Sequence, residues 1–433
     1  MFLSEERTQY WDQVDEKNTE LPKYKDSYRK SVTQKLLENT EKAIKGELQG
    51  LDEAVTVTQG GANPLANWDP ILINLVRRAT PNLLAFDVAG VQPMSGPTGL
   101  IFALKSRYTS QNGTEALHNA ANTAFSGVGS ETMTATAYYA GTASSGTAMT
   151  TSQGETLGGP GTNDLDWNDM SFSIEKSSVT AKTRALKAEY TTEVAHDLKQ
   201  IHGLDAETEL ANILSTEIIA EMNRETIHNL RKVAKVAAAS PKYSNGTVVT
   251  GTNGVVYGSA GVFDIDVNSD GRWAAEKYKS LLVKIHKEAN AIAKDTRRGR
   301  GNFIVVSSDV AAILDLTGKL VYSPAIDDSL NYDDTGNTYV GMLSGRYKVF
   351  VDPFATYDEV IVGYRGPNAW DAGFYYCPYV PLQMVKAQDP NTFQPKIAFK
   401  TRYGLVSNPF AKADGTLEAN TNPYFRKFQV KNI

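Results

Sequence analysis

Residues 90–108 read GVQPMSGPTGLIFALKSRY, and the fold turns on how that stretch is understood. Pro93, Gly96, Pro97 and Gly99 break any helix, so the first half is a turn. From Leu100 the chain runs apolar and then alternates with Lys105 and Arg107, which is the pattern of a strand. Residues 172–190 are again rich in β-formers and carry Lys182, Arg184 and Lys187. The two pieces predict a two-stranded arm with basic side chains on one edge. An isolated hairpin is marginal, so this arm is expected to lie on a neighbouring subunit, with Lys105, Arg107, Lys182, Arg184 and Lys187 as intersubunit residues.

A chain of 433 residues with 41% apolar and 21% charged content can bury a sizeable core and form two or more compact bodies. Its net charge of −5 gives no global attraction to nucleic acid, and the longest basic block is the short RRGR at 297–300. Cys377 is the sole cysteine, which excludes an intrachain disulfide and makes a Cys-ligated zinc site implausible. The first residues, MFLSEERTQYWDQVDEK, lack a basic start and an apolar run, and no stretch approaches the length of a membrane span. Neither export nor a membrane span is expected.

Residues 1–53 differ in texture, with about two fifths of them charged and both signs interspersed. Tyr24, Tyr28, Val32, Leu36, Leu37, Ile44, Leu48 and Leu51 recur at three- to four-residue spacing, predicting an amphipathic helix with solvated charges on its other face. It could be a surface helix docked on the main body or a segment that serves another partner. At Ala54 the texture changes abruptly to the polar, Gly-containing AVTVTQGGANPL. Between residues 125 and 166 Ser, Thr, Gly and Ala dominate, so a weakly packed excursion is expected there.

The strongest helix is predicted over 206–233. Asp205 is its N-cap, Glu207 and Glu209 lie in the first turn, and Arg231 and Lys232 lie near the end. Leu210, Ile213, Leu214, Ile218, Met222, Ile227 and Leu230 form its apolar stripe, and its length comes to about 40 Å at 1.5 Å per residue. A second helix is predicted over 272–294 with Trp273, Leu281, Leu282, Ile285 and Ile292 inward, followed by a buried strand NFIVVS at 302–307. Later strands are expected at 347–351, 359–364, 374–379 and 396–403. Long helices beside short strands, without a regular βαβ repeat, make the fold class α+β.

No catalytic constellation is visible. His118, His196, His202, His228 and His286 are scattered, without the i, i+4 spacing of a helical metal pair. A phosphate loop, a nucleophile elbow and a dinucleotide fingerprint are all missing from the sequence. DIDVNSDG at 264–271 offers Asp266, Asn268 and Asp270 at calcium-loop positions 1, 3 and 5, but position 12 is Lys277 where a bidentate Glu is needed. An Asx-rich turn capping the next helix is the expected reading. No cofactor, metal or catalytic residue is expected.

Five stretches resemble, in order, the major capsid proteins of T-even-type tailed phages. They are NLLAFDVAGVQP from Asn82, the opening stretch, AKTRALKAEY from Ala181, GYRGPNAWDAGFYYCPYV from Gly363 and FKTRYGLVSNPFA from Phe399. The resemblance implies a Hong Kong 97-type (HK-97-like) fold with a long spine helix. Its expected parts are a cleaved delta-like propeptide (1–53), an N-arm (54–95), and an extended β-arm (96–190) with a shortened insertion at 126–165. A peripheral domain (191–300), an axial domain (301–400) and a return to the peripheral domain (401–433) follow.

The resemblance also implies a function: self-assembly of hexameric capsomers into an icosahedral or prolate shell that encloses DNA without sequence-specific binding. The implied partners are the chain itself, a capsid vertex protein, an internal scaffold, a prohead protease, a portal and decoration proteins. The family's protease favours an apolar residue, any residue and then Glu. Leu51-Asp52-Glu53 fits at the texture change, so the cut is expected between Glu53 and Ala54. Leu36-Leu37-Glu38 also fits but lies inside the predicted helix. The virion is the implied location, after assembly in the host cytoplasm. The pentameric vertex paralog and a cargo-holding nanocompartment shell remain open at this point.

Overall fold

The computed structural model describes residues 8–9, 11–12, 26–49, 83–117, 121–132, 140, 142–158, 166–244, 247–251, 254–271, 273–322, 338–412 and 414–433. They divide into two compact units. One comprises Met1–Ile101, Ser177–Asp295 and Gly299–Ile433, and the other Phe102–Lys176 with Thr296–Arg298.

In chain order the first long element is helix α1 (Ser27–Gln49), followed by the short strand β1 (Gly90–Val91). Strands β2 (Thr98–Tyr108) and β3 (Met170–Thr180) form a two-stranded ribbon. Strand β4 (Lys182–Glu189) comes directly after but belongs elsewhere. The arm expected from residues 172–190 is therefore corrected: it ends at Thr180, and β4 pairs with a strand some 200 residues away. Within 126–165 no described residue is buried, and order comes from two isolated bridges and a short helix Thr151–Glu155 with a capping box.

Helix α2 (Thr192–His202) and helix α3 (Ala206–Val233) follow. The bounds of α3 are those its sequence signals predict, since first-turn acids and last-turn bases both complement its dipole. Its stripe, however, packs within the chain only from Leu214 onward; Leu210 is half-buried and Ile213 is exposed. After strand β5 (Ala234–Val236) and strand β6 (Val262–Asp264) comes helix α4 (Ala274–Thr296). Leu281, Leu282, Ile285 and Ile292 are buried as expected, whereas Trp273 is 74% exposed because it precedes the first helical residue.

The remaining elements are β7 (Phe303–Ser307), α5 (Ser308–Leu316), β8 (Leu320–Tyr322), β9 (Thr338–Leu343), β10 (Tyr347–Asp352), β11 (Glu359–Gly363), β12 (Phe374–Gln388), β13 (Pro395–Ser407) and β14 (Asn422–Lys431). An eight-stranded mixed sheet runs β6-β14-β11-β7-β10-β9-β8, with β5 joined to β14. Its centre is β7, FIVVS, buried at every position between parallel β10 and antiparallel β11. A four-stranded sheet runs β1-β12-β13-β4. Strand β12, within the span expected to be axial, and β13, which runs across its end at residue 400, thus share a sheet with β4, while β14 lies in the larger sheet.

Candidate intersubunit surfaces

Alternation along the ribbon puts two chemistries on two faces. On the polar face Glu175 of β3 receives Lys105 at 2.7 Å and Arg107 at 2.9 Å. Arg107 also donates to Ser173 Oγ and to the Gly113 carbonyl, both at 2.8 Å. These two bases are taken up inside the ribbon, so the basic edge expected there is corrected. The other face is apolar: Leu100, Phe102 and Leu104 of β2 and Phe172 and Ile174 of β3 are 51 to 63% exposed. Strict alternation in both strands could have revealed this face from the sequence.

The other three bases sit on β4, away from the ribbon. Arg184 reaches Glu221 at 2.8 Å and Glu225 at 2.6 Å on α3, and Tyr403 of β13 closes the cluster by donating to Glu225. Burial works against the Arg184 charge, but hydrogen bonds to Glu225 and Tyr403 outweigh it and raise its pKa. Lys187 and Lys396 both pair with Glu189, at 2.8 and 3.0 Å. Lys182 is exposed opposite Tyr403 in the register of β4 with β13. Arg184 therefore ties the four-stranded sheet to the long helix of its own chain.

Helix α1 docks on the body of its own unit. Val32, Leu36 and Leu37 are buried; Asn39 donates to the carbonyls of Met94 at 2.7 Å and Tyr379 at 3.0 Å. Arg29 pairs with Asp87 at 2.9 Å and lies 5.2 Å from the centre of the Phe86 ring, and the Tyr28 hydroxyl donates to the Val91 carbonyl. The solvated charged face expected of this helix is corrected, because Arg29, Lys35 and Glu38 are buried and Lys35 and Lys42 both reach Glu38. Leu51, Glu53 and Ala54 lie outside the described residues.

The acidic loop is a turn. Asn268 is buried and its amide donates to the carbonyls of Ser240 and Pro241, while Asp264 accepts from the amides of Asp266 and Val267. Lys277, the residue that breaks the calcium pattern, sits 2.7 Å from Asp266. Among the described residues no group of His, Cys, Asp or Glu is arranged to hold a metal, and no helix is long and apolar enough to cross a membrane.

Helix α2 carries no sequence expectation, although its signals are plain. Thr191 caps it by accepting from the Val194 amide, and Gly203 ends it at φ 68°. Val194, Leu198 and Ile201 share one face at i, i+4 and i+7. No residue of this helix is buried.

The family model for major capsid protein Gp23 matches residues 65–430. The major capsid protein of Serratia phage KSP90 is 36% identical, covering 100% of this chain and 99% of the relative. That of Enterobacteria phage T4 is 35% identical, covering 84% and 82%. The capsid vertex protein of the same phage is 29% identical and covers 59% and 57%. Among solved structures, the capsid of Myoviridae phage XM1 superposes at a TM-score of 0.40 with 10% identity, over 87% of this chain and 95% of that chain, too loosely to transfer any residue.

Proposed function

Because this chain belongs to the Gp23 major capsid protein family, we infer that it is a structural protein that builds the shell of a tailed-phage head. The observation that carries this is the family match across residues 65–430. The vertex protein is the more distant relative, at 29% identity over 59% of this chain against 36% over 100% for the KSP90 major capsid protein. The hexamer-forming role is accordingly preferred to the pentameric one. Assembly is the mechanism: many weak repeated contacts close symmetric capsomers into a shell. In the Hong Kong 97-type fold of the family, α3 corresponds to the spine helix and the β2–β3 ribbon to the extended arm. Catalysis is no part of this role.

Maturation is read as removal of residues 1–53 by a prohead protease between Glu53 and Ala54, after work with an internal scaffold, a portal and a vertex protein in the host cytoplasm. The motif Leu51-Asp52-Glu53 at the change of texture supports it. Electron microscopy of particles formed by the full chain tests the shell reading: polyhedral heads or tubes are expected, and a small discrete oligomer overturns it. N-terminal sequencing of shell protein from infectious particles tests the cut. The expected first residue is Ala54; a chain still starting at Met1, or at Asn39 after the alternative motif, refutes it.

A further inference from the structure

Helix α4 keeps its two kinds of charge on different sides. The buried acid Glu288 is met by Lys284 at 2.8 Å and Arg426 at 3.7 Å, and Asp295 by Arg426 at 2.6 Å and Lys235 at 3.6 Å. Opposite the packed side of Leu281, Ile285 and Ile292, the solvent face reads Lys279, Val283, Lys287, Asn290 and Lys294. All of these are exposed, and at about 100° per residue they fall within an arc of about 80°. Among the described residues, the ion pairs of this helix are made by Lys277, Lys284, Glu288 and Asp295, which lie on its other sides. Glu276 heads the row in the first turn, where the helix dipole favours an acid. The dipole accounts equally for Lys294 in the last turn, but Lys279 and Lys287 are too far from the end for it to explain them. Two exposed cations stand beside the row, Arg300 after the helix and Arg346 in the turn between β9 and β10. Both are close to half-buried His286, whose pKa is held below the ordinary value by burial and then by the charges of Arg300 and Arg346.

We propose that this face of α4, with Arg300 and Arg346 beside it, binds the sugar–phosphate backbone of nucleic acid. Charge complementarity selects the partner. Val283 is the only apolar side chain in the row, and lysine is depleted from the buried centre of protein interfaces, so a protein would find little there to pack against. A phosphodiester chain needs no apolar anchor, only cations at intervals. From Lys279 to Lys294 the row is about 22 Å long at about 1.5 Å per residue, the rise of roughly six or seven base pairs at about 3.4 Å each. Lysine meets phosphate as a point charge, and phosphate contacts carry no base information, so the binding is independent of sequence. The net charge of −5 confines the hold to this face and makes it weak and steeply dependent on salt. The contact needs no shell, because a single chain presents the whole row.

Fluorescence anisotropy of a labelled mixed-sequence DNA duplex, titrated with the dilute full chain over a range of sodium chloride, tests the proposal. The logarithm of the affinity should fall with that of the salt concentration at a slope of about 4 to 5 if all five cations engage. Lys279→Gln, Lys287→Gln and Lys294→Gln together should lower the affinity at least about tenfold at low salt and the slope by about 3, at unchanged helix content. The same three positions changed to Arg should bind like the parent. A parent chain that does not bind the duplex at low salt overturns the proposal. An equal loss from Lys182→Gln, Lys199→Gln and Lys232→Gln, three exposed lysines on other elements, also overturns it, because the attraction is then diffuse. Labelled polyglutamate that binds as tightly as the duplex, and loses as much in the first triple variant, reassigns the face to an acidic protein. Particle formation is scored separately, so failure of the shell reading leaves this result standing.

Discussion

At the scale of single residues, the charges that look like surface decoration in the sequence work inside the chain. Arg184 neutralises Glu221 and Glu225, two acids one helical turn apart that would otherwise repel. All three are about a third exposed or more, so solvent screens the cluster and its loss is modest. Arg184→Ala is expected to destabilise the unassembled chain by about 1 kcal/mol, read as a lower urea midpoint with unchanged slope. A variant as stable as the parent would show that the cluster contributes nothing. Gly363 presents the opposite case, a residue whose absent side chain matters. A Cβ there would stand 2.2 Å from the ring of Phe303, which is itself fully buried at the centre of the larger sheet. Gly363→Ala should therefore cost about 1 to 3 kcal/mol through overpacking, whereas a neutral result would mean that the Phe303 ring can swing aside.

At the scale of elements, the hairpin between β12 and β13 has a pH dependence of definite sign. A hydrogen bond from Lys396, and then the Asn391 amide, holds the half-buried Asp389 carboxyl at about 2 against an ordinary 3.8. A folded value below the unfolded one gives a contribution that is complete above the ordinary value and is lost as pH falls from about 4 through about 2. Amide exchange at Phe393, which donates to the Asp389 carbonyl, should accelerate over that interval while exchange at Ile361 in the larger sheet does not. Equal acceleration at both would mean global acid unfolding.

The same scale shows what was legible in the sequence. Helix α3 and strand β7 could be read directly, because caps, dipole-matched charges and an unbroken apolar run are local signals. Strand β4 could not, since nothing in Thr180 and Ala181 marks a break and its partner β13 is remote in sequence. Burial of the α1 charges was hidden for a related reason, as Asp87 and the carbonyls of Met94 and Tyr379 are brought to it only by the fold. Helix α2 was legible from Thr191, Gly203 and its i, i+4, i+7 spacing.

At the scale of the whole molecule, a net charge of −5 gives nucleic acid no general electrostatic hold on the chain, which suits a wall more than a binder. The position of α1 has a temporal consequence. Its Val32 and Leu36 belong to the same core as Leu84, Phe86 and Val91, so the precursor folds around a piece that the proposed cut discards. With the proposed cut, the chain would carry its folding instructions in one form and its working structure in another. Denatured precursor should then regain its native spectrum on dilution, while denatured mature chain should not; equal recovery of the two would show that α1 is dispensable to folding. Were the cut made as proposed, a finished head would have no route back to its parts.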